Sequence, residues 1–156
     1  EMSASLVGSE MCIRDSPYTM FIGSGALWGE TILFSMCILE EMQWKRTRYI
    51  TSADFFHGTL ELVEPGVPVF LFMGEDENRK LDERVRAFLT RGVTGDTDIN
   101  IIDTAEFAIP GLDDEFRVIV SPWILSSLIT DRLAAYYETV TKHNLKYRRY
   151  YHQFDY

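Results

Sequence analysis

The chain has 156 residues, 46% of them hydrophobic and 25% charged, enough for one globular domain with a buried core. Its formal net charge of −9 makes the surface as a whole repel a phosphate backbone, which disfavours nucleic acid as a partner. No apolar run reaches the roughly 20 residues of a spanning helix, so no membrane is expected either.

Residues 5–16, "SLVGSEMCIRDS", look like a translated sequencing-library adaptor and carry neither a helical nor a strand period. Residues 1–16 are therefore read as a non-native or disordered leader and set outside the fold reasoning. On that reading the native protein begins further upstream and this chain is a fragment of it. From Pro17 onward strand and helix signals alternate. "YTMFIG" (18–23) predicts a strand, and the turn "GSG" leads into a helix from about Ala26 to Met42. "RYITS" (48–52) is a second strand, followed by a connection with a short helix near 59–63. "VPVFLFMG" (67–74) is the most apolar strand and is expected to be central and buried on both faces. The helix of 78–92 carries Leu81, Val85, Phe88 and Leu89 on one stripe and stops at Gly92. "DINIID" (98–103) and "FRVIV" (116–120) are read as two more strands, and 122–144 as a last helix with Pro122 at its start. Such alternation implies a three-layer, flavodoxin-like α/β fold: a parallel sheet with helices on both faces. Ligands of these sheets bind outside the carboxyl ends of the strands.

Three features could carry chemistry. The "GSG" turn (23–25) would aim Ser24 and the backbone at Gly25 toward an anion, although it lacks the full dinucleotide fingerprint. No nicotinamide or other cofactor is therefore expected. Glu40 and Glu41 end the first long helix, where its dipole disfavours negative charge, and spacing alone does not choose between them. His57 lies sixteen residues after Glu41, and histidine is the residue type whose unperturbed pKa suits proton transfer near neutrality. Cys12 and Cys37 have neither a metal-ligand spacing nor a disulfide pattern, which predicts no metal and fits a reducing cytoplasm.

The run from Phe21 to Phe72 resembles the second sugar-isomerase (SIS) domain of aminosugar-phosphate enzymes, in "FIGSG", "LEEMQW" and "SADFFHGTLELVEPGVPVFLF". Within that group it is similar to the fructoselysine and glucoselysine 6-phosphate deglycases, whose ending resembles "HNLKYRRYYHQFDY". The resemblance implies a SIS domain over 17–145 and a basic, aromatic tail over 146–156. It puts the catalytic glutamate at Glu41 and the catalytic histidine at His57. The implied substrate is a ketose 6-phosphate bearing an amine on carbon 1. Ser24, Gly25 and Ser52 are candidate substrate-binding residues, and one of Arg148 and Arg149 in the tail is expected to reach the anionic substrate, the alternative being a surface clamp on the same domain. The resemblance also implies a homodimer whose subunits share the site, and a first SIS domain that holds the phosphate, so that this segment alone would be close to inactive. Departures lie at Ala53–Asp54, Phe56 and Thr59, where the family usually has Gly-Glu, a basic residue and proline. A sugar-phosphate-binding regulator without catalysis, and an aldose–ketose isomerase of an aminosugar phosphate, are the alternative functions.

Overall fold

The computed structural model describes residues 16–155, so the adaptor-like segment lies, but for Ser16, outside the described residues. Four parallel strands form one sheet: β1 (Thr19–Ile22), β2 (Thr47–Ile50), β3 (Val69–Met73) and β4 (Ile99–Asp103), in the order β2-β1-β3-β4. Met20 lies opposite Arg48 on one side and Val69 on the other, and Leu71 lies opposite Ile101. β1 and β3 are buried along their whole length, as continuous apolar runs in a sheet covered on both faces require.

The strand period of two sends alternate side chains to opposite faces. Phe21, Phe70 and Phe72 pack with Phe34, Leu39, Leu125, Ile129 and Tyr137 on one face. Met20, Ile22, Val69, Leu71 and Met73 pack with Phe55, Val85 and Leu89 on the other. The first core is roofed by helix α1, residues 25–42, and helix α3, Asp114–Thr141; the second by α2, Arg79–Leu89. Helix, sheet and helix thus make three layers, as the alternating pattern implies. α1 opens on a short 3-10 turn and widens to π-type winding over Leu33–Met42.

One predicted element is wrong. "FRVIV" (116–120) is the first part of α3, not a strand. Its β-branched residues suit a strand locally, but the buried positions Ser121, Leu125 and Ile129 recur every four residues, and that helical face meets the core. Pro122 therefore sits inside the helix rather than at its start. A proline there cannot donate to the carbonyl four residues back. That carbonyl belongs to Val118, and it accepts from Ser121 Oγ instead, at 3.1 Å. Joined this way, α3 is long and apolar enough to cross a membrane by length and composition, a property hidden while 116–120 and 122–144 were separate elements. Its opposite side leaves Ile119 and Trp123 exposed.

Candidate active site at the amino edge of the sheet

Because β1 and β2 are parallel, α1 must run back across the sheet, and its last turn lies beside the start of β2. Glu41 is on that last turn, at the amino edge. His57 follows β2, on a 3-10 turn (Phe55–His57) at the carboxyl edge. Four residues of strand, on the order of 10 Å, separate the two edges, so the fold keeps Glu41 and His57 of one chain apart.

The amino edge holds a cavity. It has a volume of about 1010 Å³ and is lined by Glu41, Trp44, Lys45, Arg46, Arg148 and Arg149, among others. Glu41 Oε1 meets Arg148 Nε at 2.9 Å, while the neighbouring Glu40 accepts from Thr47 Oγ1 at 2.5 Å. The two glutamates that spacing could not separate are thus distinguished by their partners. The C-terminal segment is fastened over this edge. Gln43 Nε2 donates to the His143 carbonyl at 2.7 Å, and Thr141 Oγ1 donates to Gln43 Oε1 at 2.7 Å. Trp44 has a left-handed backbone (φ 54°), unusual for a large side chain. Its ring meets His143 edge-on at 4.4 Å and carries the Arg149 guanidinium, also at 4.4 Å. The structure therefore gives Arg148 and Arg149 different neighbours: the first holds the glutamate, the second the tryptophan.

The carboxyl edge is occupied by the protein's own polar groups. Ser24 and Ser52 are buried; the Ser52 amide donates to Ser24 Oγ at 2.7 Å, and Ser52 Oγ donates to Asp82 Oδ1 at 2.6 Å. Asp82 also accepts from the Gly74 amide at 3.3 Å. Burial raises its pKa to about 6, against the lowering effect of those hydrogen bonds and with Asp76 adding to the rise. At the "GSG" turn the Ala26 amide donates to Asp76 Oδ2 at 2.6 Å. A Cβ on Gly25, whose φ is +54°, would lie 2.0 Å from that same oxygen. The anion at the turn is thus an aspartate of this chain. Glu75 pairs with Arg117, and Asp103 with Arg79 in a two-point contact of 2.9 and 2.6 Å that holds the Asp103 carboxyl below its usual range.

Around His57 the loop is set by aromatics and a short-range acid. Phe55 is fully buried, its ring 5.7 Å from Phe88. Phe56 packs on both Phe55 and Phe88 and carries the Arg84 guanidinium at 4.1 Å. Asp54 Oδ2 accepts from Thr51 Oγ1 at 2.8 Å, closing the turn. His57 itself is exposed. Sequence reasoning missed Asp76 and Asp82. The second had a signal: it lies on the same helical stripe as Val85 and Leu89, an acid among buried apolar positions. Among the described residues no group of three or more His, Cys, Asp or Glu could hold a metal ion.

The chain is 32% identical over 136 residues to the fructosamine deglycase FrlB of Bacillus subtilis, covering 85% of this chain and 39% of that protein. It is 35% identical over 116 residues to the fructoselysine 6-phosphate deglycase of Escherichia coli, covering 72% of this chain and 31% of the relative. The chain is a homologue of these deglycases. Its fold is that of their sugar-isomerase-like part: a Salmonella typhimurium protein assigned as a phosphosugar isomerase superposes with a TM-score of 0.80 at 28% identity, over 99% of this chain and 48% of its own. The chain spans less than two fifths of the length of the curated relatives it matches. No family model matches it.

Proposed function

We propose that this SIS domain is the Glu41- and His57-bearing part of a deglycase that cleaves an Amadori sugar-amine 6-phosphate, of the fructoselysine or glucoselysine type, to a sugar 6-phosphate and a free amine. The observation that carries the reading is the placement of Glu41, a carboxylate inside a cavity walled by Lys45, Arg46, Arg148 and Arg149, on a chain that is otherwise strongly acidic. The names of the relatives support the substrate class.

In the proposed reaction His57 donates a proton to the ring oxygen and opens the sugar. Glu41 then removes a proton from carbon 1; that electron pair forms a carbon 1–carbon 2 double bond as the carbon 2 carbonyl pair moves onto its oxygen, which takes up a proton, and the product is an enaminol. Protonation at carbon 2 yields a Schiff base at carbon 1, and water adds there and expels the amine. Each positioned acid or base contributes roughly 10²–10⁴-fold. Since one chain holds its Glu41 and His57 at opposite edges of the sheet, the reading requires that the histidine at a given Glu41 come from a second subunit. The substrate phosphate is assigned to a further SIS domain, because the "GSG" turn here already holds Asp76.

The test is amine release from fructoselysine 6-phosphate by this chain and by a version extended with an upstream SIS domain. Activity is expected only in the extended version. Mixed Glu41→Gln and His57→Ala chains should recover part of it as heterodimers. No rescue in heterodimers shown to form would put both residues of a site on one subunit, against the fold described above.

A further inference from the structure

The candidate base is held by a cation that has a second use. Arg148 Nε donates to Glu41 Oε1 at 2.9 Å, and its Nη1 donates to the carbonyls of Leu145 (2.7 Å) and Tyr147 (2.9 Å). Those carbonyls belong to the turn of its own segment, so the fold of 144–148 delivers the guanidinium to Glu41. Gln43 and Trp44 fasten that segment to the end of α1. The pair is not sealed: the Arg148 side chain is 17% exposed and that of Glu41 30%, and both face the cavity beside Lys45 and Arg46. An anion entering this cationic cavity meets an arginine already committed to a carboxylate of the protein.

We propose that Arg148 is a shared counter-ion: it neutralises Glu41 until an anionic group of the ligand draws it away, and that exchange releases the carboxylate to act as a base. The inference rests on the reading of Glu41 as the base. With the sugar phosphate assigned to the further SIS domain, the expected anionic group is the carboxylate of the substrate's amine portion; a guanidinium fork binds a carboxylate or a phosphate at two points. Glu41 is then an internal competitor for Arg148, and the two halves of the pair have opposite effects on binding. Removing the charge of Glu41 strengthens anion binding, whereas removing that of Arg148 weakens it. An ion pair that only braces the fold has no reason to divide in this way.

The experiment is a titration of the whole chain with inorganic phosphate and, separately, acetate at constant ionic strength, followed by NMR with 13C-labelled glutamate carboxylates. The Glu41→Gln chain should bind the preferred anion about threefold or more tightly, and Arg148→Gln about tenfold or more weakly, the size of one charge-assisted hydrogen bond. In the unaltered chain the Glu41 carboxylate resonance should move, as the anion saturates, toward its position in Arg148→Gln. The amide spectrum reports the fold of each variant, and Arg148→Lys, expected to lose less than Arg148→Gln, replaces it should the latter unfold. Whether phosphate or acetate binds more tightly identifies the source of the anionic group. Unchanged or weaker binding by Glu41→Gln, an unmoved Glu41 resonance at saturation, or no binding of either anion overturns the proposal. Amine release is measured independently: exchange as described without turnover in the extended chain overturns the role of Glu41 as base and leaves the competition for Arg148 standing.

Discussion

The two edges of the sheet use charge in opposite ways. At the carboxyl edge, Ser24, Ser52, Asp82 and Asp103 are buried and matched to partners within the chain, and Asp76 fills the turn that opens α1. At the amino edge, Glu41 and Arg148 are matched to each other but stay open to a cavity. One set of polar groups is finished; the other can still change partners. Ligands of parallel sheets normally bind at the carboxyl edge; here the chain's own acids already stand there. On the proposed reading the base, Glu41, stands apart from the buried polar groups of the carboxyl edge, and either can be altered without the other.

The largest expected effect is at the amino edge. Glu41→Gln in a chain extended by an upstream SIS domain should lower amine release by roughly 10²–10⁴-fold. Its melting temperature should hardly move, because a part-exposed ion pair contributes about 0–1 kcal/mol. A fall in melting temperature matching the loss of activity would erase the distinction between the edges. At the carboxyl edge, Asp82 has a folded pKa of about 6 against 3.8 unfolded. The folded state therefore keeps a proton that the unfolded chain has lost, and stability falls as pH rises from about 4 to about 6, by up to about 3 kcal/mol. Asp82→Asn should flatten that window in denaturation curves measured across it, and at pH 7 should leave the protein at least as stable. A window as steep as before would mean that another group governs it. Gly25→Ala should cost about 2 kcal/mol, or some 6 °C, since it combines a left-handed backbone with a clash on Asp76. Smallest is Arg86→Ala, which removes a surface contact with Glu83 and should change stability by less than about 0.5 kcal/mol.

Much of this fold was legible in the sequence because its strands are short apolar runs separated by helical periods. The parallel three-layer arrangement followed from their order. The error at 116–120 arose where local propensity and long-range period disagree: Val118, Ile119 and Val120 are β-branched, but the face that decides the element begins at Ser121 and continues through Leu125 and Ile129. Pro122 strengthened the error by resembling a helix start. At the site, Glu41 and His57 could be singled out together only by resemblance, since spacing left Glu40 and Glu41 equivalent. Which edge each occupies was implicit in the reversal of α1 between parallel strands. The partners of the tail arginines were not legible, because Arg148 reaches Glu41 across more than a hundred residues of sequence. Nothing in "GEDEN" (74–78) says that its aspartate returns to a turn fifty residues earlier.

That aspartate changes how the turn responds to its surroundings. A turn that waits for an anion from solution gains stability only as that anion accumulates, by mass action. Asp76 is tethered, so its carboxylate is present at a fixed effective concentration set by the chain. The Ala26 amide is therefore satisfied whatever the phosphate content of its surroundings, and this end of the domain is buffered against metabolite supply. A cell short of sugar phosphate would leave the carboxyl edge as firm as one with plenty.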